Sequence, residues 1–251
     1  MTATANKIAQ VTLFFWIMKI CATTLGETAG DYFSMTMNLG YAESYIILIS
    51  AFLVSVIAQL ASKKFRPLLY WTVILTTSTA GTTMSDFMDR TLALGYTRGS
   101  LILIGCLAAV LIIWRLVEKT LSVNNINSRR AEMFYWTAIL FSNTLGTALG
   151  DFLADSSGLG YLGGVALISG LILLTVGGYY LTNLSRVLLF WIAFVLTRPF
   201  GATFGDLLTK SHEKGGLDFG TIGSSLVLAT ILFSVIIYTD FRNRRLAPAD
   251  G

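Results

Sequence analysis

Charged residues are scarce in this chain of 251 residues, because Asp, Glu, Lys and Arg together make up only 13% of it. Histidine occurs once, at His212, and cysteine twice, at Cys21 and Cys106 within apolar segments. This supply argues against a histidine-built metal centre and against a disulfide framework. The sequence also lacks a Ser/His pair and a His/Glu metal spacing. We therefore expect neither an enzyme nor a resident cofactor, while a transported or bound cation is left open.

Hydrophobic residues are abundant instead, at 54% of the chain, and the mean hydropathy is +0.69. This composition is typical of a membrane protein. The net charge of +4 comes from basic residues in short loops, so it does not indicate nucleic-acid binding. The expected partners are a lipid bilayer and a small-molecule or ion substrate, and a homo-oligomer is left open.

Apolar segments recur along the chain at a length that suits membrane-spanning helices, which need about 20 residues. They predict an all-α polytopic membrane protein, a single domain over 1–251, with eight transmembrane helices. The helices are predicted near residues 8–36, 44–61, 67–88, 100–117, 132–154, 162–183, 185–208 and 221–239. They form four two-helix repeats, at about 10–61, 66–117, 131–183 and 186–239.

The first helix of every repeat has the same spacing of tryptophan, small residues and aspartate. Ten residues after each Trp comes a Gly, fourteen after it a Gly or Ser, and fifteen after it an Asp. The tryptophans are Trp16, Trp71, Trp136 and Trp191, and the aspartates are Asp31, Asp86, Asp151 and Asp206. Small residues four apart let helices approach closely, so this spacing predicts tight helix packing.

Most Lys and Arg residues lie at the two termini and in the loops that follow the second helix of a repeat. The loops on the other side contain Arg90, Arg98, Lys210 and Lys214. The positive-inside rule then places both termini in the cytoplasm. Because each repeat has two helices, all four insert in the same direction.

Polar residues are concentrated in the first helix of each repeat, while the second helices have apolar stretches without acids or bases. Polar side chains within a bilayer face the bundle interior or a wet cavity. We therefore predict that the first, third, fifth and seventh helices form an inner bundle. The other four are predicted to form an outer wall, each shielding the inner helix of its own repeat.

The aspartates have two interpretations. Each could cap a short interfacial helix that follows it. Alternatively, Asp31, Asp86, Asp151 and Asp206 could form a ring that concentrates cations at an outer vestibule, as acidic rings do in cation pathways.

Charged residues deeper in the inner helices are stronger candidates for function. Lys19 and Arg198 fall near the middle of their helices, and Glu27 shares one polar helical face with Lys19. The equivalent face of the third repeat contains Asn143. A Glu27–Arg198 pair would offset the cost of burying an isolated charge, about 2.5–3.5 kcal/mol at the bilayer centre. The pair is either a static salt bridge or part of a proton-coupled or gating site.

The fourfold Trp…Gly-x-x-x-Gly-Asp pattern, with two helices per copy, resembles a bacterial inner-membrane family of unknown function with four tandem two-helix repeats. The resemblance covers about residues 10–240. It implies the fold and a location in the inner membrane, and it implies no activity.

A second resemblance is local. Glu27-Thr-Ala-Gly30-Asp31 is similar to the Glu-x-Gly-Asp signature of exchangers that move manganese or calcium against protons. It differs by one extra residue before the glycine and by Tyr32 in place of a basic residue. The other three repeats lack the Glu.

Together these features favour a transporter or channel for a small solute, with a cation as the leading candidate. Glu27 and the four aspartates would bind it, and Lys19 and Arg198 would compete for the same carboxylates. A non-transporting membrane scaffold or sensor is the alternative. Transport of an anion bound by Lys19 and Arg198 also stays open.

Overall fold

The structure is a computed structural model that describes residues 9–62, 64–123, 126 and 128–246, apart from the side chains of Arg244 and Leu246. This described part of the chain is helical throughout and contains eight long α-helices, two for each repeat. They are α1 Leu13–Asp31, α2 Tyr41–Ala61, α3 Pro67–Asp86, α4 Gly95–Glu118, α5 Arg129–Asp151, α6 Gly160–Leu181, α7 Arg186–Thr209 and α8 Thr221–Leu246. The N-terminus, predicted to be cytoplasmic, falls on residues 1–8, outside the described residues.

Helix ends follow local chemistry more closely than hydropathy. Helix α1 begins at Leu13 rather than near residue 8, because the Thr12 hydroxyl accepts a hydrogen bond from the Phe15 amide at 3.4 Å. Pro67 occupies the first turn of α3, where its missing N–H leaves no helical bond unmade. Ser128 caps α5 by accepting from the Ala131 amide at 3.0 Å.

Four helices, the first of each repeat, pack in a closed ring. Helix α1 contacts α3, α3 contacts α5, α5 contacts α7, and α7 returns to α1. The remaining helices each pack against one member of this ring: α2 on α3, α4 on α5, α6 on α7 and α8 on α1.

Each flanking helix therefore packs chiefly against the ring helix of the following repeat, and α8 completes the circle on α1. The expectation that a ring helix is covered by the second helix of its own repeat was wrong. The turn after each first helix is long enough to carry the chain sideways to the next ring helix. Sequence adjacency alone could not reveal this step.

Glycines set the spacing of the ring. A Cβ on Gly26 would lie 2.4 Å from the Ser78 Cβ, and one on Gly146 would lie 2.3 Å from the Arg198 Cγ. Gly81 meets Asn143 and Gly201 meets Thr23 in the same way. The glycine ten residues after each Trp thus contacts the next ring helix at the residue seven after its Trp. The predicted small-residue packing is confirmed at these contacts.

The first helix of each of the first three repeats ends in a π-helical turn, over Tyr32–Thr36, Phe87–Thr91 and Phe152–Ser156. A glycine with positive φ marks the start of the next helix: Gly40 (82°) precedes α2, while Gly95 (71°) and Gly160 (64°) are the first residues of α4 and α6. In the fourth repeat Gly220 has φ 70°, although its loop is longer. A left-handed conformation favours glycine, which explains why every repeat has one here.

Five helices, α2, α4, α6, α7 and α8, are long and apolar enough to cross a membrane by length and composition. Large apolar side chains project outward from the flanking helices: Val54, Leu101, Leu174 and Leu226 are 70%, 64%, 72% and 64% exposed. Large apolar patches of this kind mark interaction surfaces, and they are compatible with contact to lipid.

Candidate functional site

Polar and charged side chains fill the centre of the helix ring in stacked layers. The lysine layer contains Lys19, Ile74, Ile139 and Phe194; the arginine layer Thr23, Ser78, Asn143 and Arg198; the glutamate layer Glu27, Thr82, Thr147 and Ala202. All of these side chains are buried, and Glu27, at 3%, is the most exposed of them. Each layer takes one residue from each repeat, because the layers follow the helical spacing of three to four residues. The predicted polar face therefore lies in the interior.

Arg198 connects the arginine layer to the glutamate layer. Its Nη1 lies 3.0 Å from the Glu27 Oε2, which is the predicted ion pair between α1 and α7. Its Nη2 donates to the hydroxyls of Thr82 at 2.5 Å and Thr147 at 2.6 Å. One guanidinium thereby joins all four ring helices, and only a planar group with several donors can do so.

Glu27 also accepts hydrogen bonds from threonine hydroxyls. The Thr82 hydroxyl donates to the Glu27 Oε2 at 3.3 Å, and the Thr147 hydroxyl lies 3.5 Å from the same oxygen. These two hydroxyls accept from Arg198 and donate to Glu27, so they strengthen the pair. Because a buried charge without partners is costly, this network stabilises both charges in the interior.

Lys19 lies below the pair and has different neighbours. Its Nζ donates to the Asn143 Oδ1 at 3.4 Å and lies 4.2 Å from the centre of the Phe194 ring. The Asn143 Nδ2 donates in turn to the Ser78 Oγ at 3.3 Å. An amide and an aromatic ring thus solvate this ammonium. Lys19 and Asn143 belong to one network, and the role expected for Lys19 as a competitor for carboxylates has no support in these contacts.

The four repeated aspartates lie above the glutamate layer and are bridged in pairs by two basic residues. The Lys210 Nζ lies 2.5 Å from the Asp31 Oδ2 and 3.1 Å from the Asp206 Oδ1. Arg90 lies 2.8 Å from Asp86 and 3.6 Å from Asp151. The aspartates are buried, at 2%, 2%, 4% and 7% exposure for Asp31, Asp86, Asp151 and Asp206. The four aspartates are therefore paired with Arg90 and Lys210 and do not face open solvent.

The capping interpretation of the aspartates was wrong. Asp31, Asp86 and Asp151 do precede short helical turns, but their side chains make no capping hydrogen bond. Asp206 lies within α7, one turn before the helix ends at Thr209. The carboxylates point instead to the bridging cations.

The surroundings of the two bridging residues keep them charged. Burial lowers the pKa of Lys210, but Asp206 and Asp31 raise it further, so the net pKa lies above the ordinary value of 10.5. The same balance, with Asp86 and Asp151 as the neighbours, raises the pKa of Arg90. Both residues therefore act as permanent cations between pairs of carboxylates.

Three carboxylates converge at one side of this end. Oxygen atoms of Glu27, Asp31 and Asp206 all lie within 4.8 Å of one another, and all three residues are buried. Carboxylate oxygens are the ligands that hard cations such as Ca²⁺ and Mg²⁺ prefer. Lys210 places its ammonium against two of the three.

Aromatic rings close the opposite end of the ring of helices. The residue before each repeat tryptophan forms an aromatic layer: Phe15, Tyr70, Tyr135 and Phe190. The hydroxyls of Tyr70 and Tyr135 are 2.7 Å apart, and both residues are fully buried. The Phe15 ring lies 5.7 Å from the Trp71 ring and 6.4 Å from the Phe190 ring. The polar layers are thus enclosed between the aromatic layer and the ion pairs.

Arg90 and Lys210 were considered in the sequence only as basic loop residues, and neither they nor the aromatic layer were predicted as site residues. A signal for them exists, because Arg90 and Lys210 each follow a repeated aspartate by four residues, one helical turn. The aromatic residues lie four positions before the lysine layer. Both sets extend the same polar face at its two ends.

Comparison with known proteins gives a match to one family, described as Repeat of Unknown Function (DUF347). Its profile matches four times, over residues 14–65, 69–120, 134–185 and 189–245. No curated protein and no solved structure matches the chain.

Proposed function

We propose that this chain, which belongs to the DUF347 family of repeats of unknown function as its four tandem matches establish, is a membrane transporter that moves a small cation through its polar centre. The description of the family gives no activity, so the support for the proposal comes from the geometry of the site. The arrangement that carries the proposal is the cluster of Glu27, Asp31 and Asp206 beside the Lys210 ammonium.

The membrane setting is part of this proposal. All eight helices cross the bilayer, with α1, α3, α5 and α7 as an inner bundle and α2, α4, α6 and α8 as a wall toward lipid. Support comes from the packing order and from the apolar outer surfaces of the flanking helices. The basic loops at the tryptophan end support a cytoplasmic location for that end and for both termini. The resemblance to a bacterial inner-membrane family suggests that this membrane is the inner membrane of a bacterium.

Lys210 is a tethered cation at the proposed binding site. An incoming cation that binds Asp31 and Asp206 must displace its ammonium, because the Nζ lies 2.5 Å and 3.1 Å from these carboxylates. Glu27 keeps Arg198 as its partner, so displacement leaves two negative charges uncompensated. A divalent cation, or a monovalent cation with a proton, balances this charge.

Onward movement requires the network around the Glu27–Arg198 pair to open, because Arg198 also holds Thr82 and Thr147 across the centre. The pair crosses the centre between the binding site and the lysine layer, and its atoms are almost fully buried. The aromatic layer is a second barrier, at the cytoplasmic end. The observed arrangement is therefore a closed state, in which ion pairs block one end and aromatic rings the other.

A flux assay in liposomes tests the proposal. Purified protein is reconstituted, and uptake of a panel of monovalent and divalent cations is followed with entrapped indicator dyes. We expect uptake of at least one cation by the wild type and loss of that uptake in Glu27→Gln, since the variant removes a carboxylate from the cluster.

Glu43→Gln is the matched control. Glu43 is an exposed acid in the first turn of α2, at the same end of the molecule, so the substitution makes the same charge change outside the cluster. Its uptake should equal that of the wild type. Absence of flux for every cation tested, or equal flux in Glu27→Gln and the wild type, contradicts the proposal.

A membrane scaffold is the second candidate, and a specific observation favours it. The central side chains are buried and Arg198 contacts the other three ring helices, as expected of a rigid structural core. A scaffold needs the network only for stability. It therefore predicts that Asp31→Asn and Asp206→Asn change the stability of the protein and leave every membrane permeability unaltered.

A further inference from the structure

Ion pairs at the aspartate end join the ring helices in two pairs rather than in a circle. Lys210 joins α1 to α7 by contacting Asp31 and Asp206, and Arg90 joins α3 to α5 by contacting Asp86 and Asp151. The helix spacing is close to fourfold, but the charges reduce this symmetry to two halves.

The aromatic end is divided in the same way. The hydroxyl contact between Tyr70 and Tyr135 joins α3 to α5. Phe190 packs against Phe15 at 6.4 Å and against Trp16 at 5.8 Å, which joins α7 to α1. The hydroxyl contact at this end thus lies within the same pair of helices that Arg90 joins, whereas the Phe15 ring, 5.7 Å from the Trp71 ring, also contacts α3.

The flanking helices extend these pairs into two complete halves. Helices α2 and α4 pack on α3 and α5, while α6 and α8 pack on α7 and α1. One half is the continuous segment α2–α5, and the other consists of α1 with α6–α8. The boundary between them, where α1 meets α3 and α5 meets α7, is called the seam below.

The chain crosses the seam at one end only. The α1–α2 and α5–α6 connections cross it, both at the aspartate end, and both start with a π-helical turn, Tyr32–Thr36 and Phe152–Ser156. At the tryptophan end, the connections α2–α3, α4–α5 and α6–α7 each join two helices of the same half. Short π-helical turns are frequent at functional sites, and element ends of this kind serve as hinges.

Hydrogen bonds across the seam are concentrated in the centre. Arg198 crosses it to the hydroxyls of Thr82 and Thr147 and to the Ser78 carbonyl, and Lys19 crosses it to Asn143. At the tryptophan end the contacts across it are mainly between rings, Phe15 with Trp71 and Trp114 with Trp191. A hydrogen bond from the Trp191 indole to the Leu121 carbonyl, at 3.1 Å, accompanies them.

We infer that the protein opens along this seam, as two rigid halves that pivot on the α1–α2 and α5–α6 connections and separate at the tryptophan end. The inference rests on the proposed function in one respect, since it locates the solute route in the seam. Arg198 controls the opening, because its bonds to Thr82 and Thr147 join the halves at the centre. Its pair with Glu27 lies within one half and persists during the movement.

Distance measurements between spin labels test this inference directly. Leu13, Leu68, Met133 and Leu188 each lie three residues before a repeat tryptophan and are 74%, 58%, 57% and 51% exposed. Cysteines at these four sites, introduced two at a time with Cys21 and Cys106 replaced by serine, accept labels at equivalent places on the ring helices. The pairs 13/68 and 133/188 span the seam, and the pairs 68/133 and 188/13 lie within a half.

The double variant Thr82→Val with Thr147→Val removes the two hydroxyls through which Arg198 crosses the seam and leaves its bond to the Ser78 carbonyl, at 3.3 Å, in place. We expect a second, longer distance population in both pairs that span the seam and unchanged distances in both pairs within a half. Thr23→Val is the matched control, because the Thr23 hydroxyl bonds to the Thr197 carbonyl within one half at 3.1 Å. It should leave all four distances as in the wild type.

Equal lengthening of all four pairs, or unchanged distances across the seam in the double variant, overturns the inference. The unchanged pairs within a half also report that the protein is folded. If the double variant does not fold, the single variant Thr147→Val decides by the same comparison. The distance measurement does not depend on transport. If the seam opens in a protein that transports no cation, the proposed function is refuted and the inference stands.

Discussion

Arg198 shows how one residue can determine the character of a protein interior. Its guanidinium is fully buried and contacts Glu27, Thr82 and Thr147 from three other helices. Breaking a buried ion pair by removing one partner typically costs about 3–5 kcal/mol, because the other charge is left unpaired. The same residue is therefore a source of stability and, in the proposed mechanism, the group that must release Thr82 and Thr147.

The geometry of the guanidinium gives the first prediction. In Arg198→Lys the charge remains, but a single ammonium cannot reach Glu27 and both threonines together. We expect a loss of about 2 kcal/mol in the free energy of unfolding, the size of a hydrogen bond to a charged group. Unfolding in detergent micelles measures it.

Arg186→Lys, at the exposed start of the same helix, is the control and should change stability by no more than about 0.5 kcal/mol. A similar effect of the two substitutions contradicts the role given to Arg198.

Lys210 gives a prediction about pH. Its pKa is raised above 10.5 in the folded protein, so the stability that it contributes is fully present below that pH and is lost as the pH rises through the folded-state value. The stability difference between the wild type and Lys210→Met should therefore stay constant from about pH 8 to pH 10. Lys214→Met, at an exposed site nearby, should show no difference at all. A gap that shrinks across this range would mean that Lys210 loses its proton there and is not held by the aspartates.

At the scale of helices, close packing through glycine decides the architecture. Each ring helix places a glycine against the next ring helix. The two backbones therefore lie closer together than they could if that residue had a Cβ. The flanking helices contain glycines too, but Gly105 and Gly170 have open space where a Cβ would lie. Residue type alone does not separate these groups, whereas their position in the repeat does.

Two alanine substitutions separate packing glycines from the others. Gly146→Ala brings a Cβ to within 2.3 Å of the Arg198 side chain, and we expect a loss of about 1–3 kcal/mol from overpacking. Gly170→Ala, in α6, meets no atom within 4 Å and should be neutral or stabilising by up to about 1 kcal/mol, since alanine favours the helix. The unfolding midpoint of each variant checks this, and a reversed order would refute the packing described here.

Much of the whole molecule could be predicted from the sequence, for identifiable reasons. Hydropathy located the helices, and the fourfold spacing aligned Lys19, Asn143, Arg198 and Glu27 on one face. The partnership of α2 with α3 could not be predicted, because hydropathy carries no information about which neighbour a helix covers. The division into halves was also inaccessible, since it depends on Arg90 and Lys210, which looked like ordinary loop charges.

The central claim is that the polar interior opens to water during function, and the reactivity of a cysteine there tests it most directly. Thr147→Cys places a thiol beside Glu27 and Arg198. Thr144→Cys places a thiol three residues away on α5, where Thr144 contacts Met84. Both threonines are fully buried. With Cys21 and Cys106 replaced, a membrane-impermeant thiol reagent should modify Thr147→Cys in liposomes, faster under a gradient of the transported cation, and spare Thr144→Cys. If both thiols remain unreactive under every gradient, or if both react equally, the interior is not a route and the account fails.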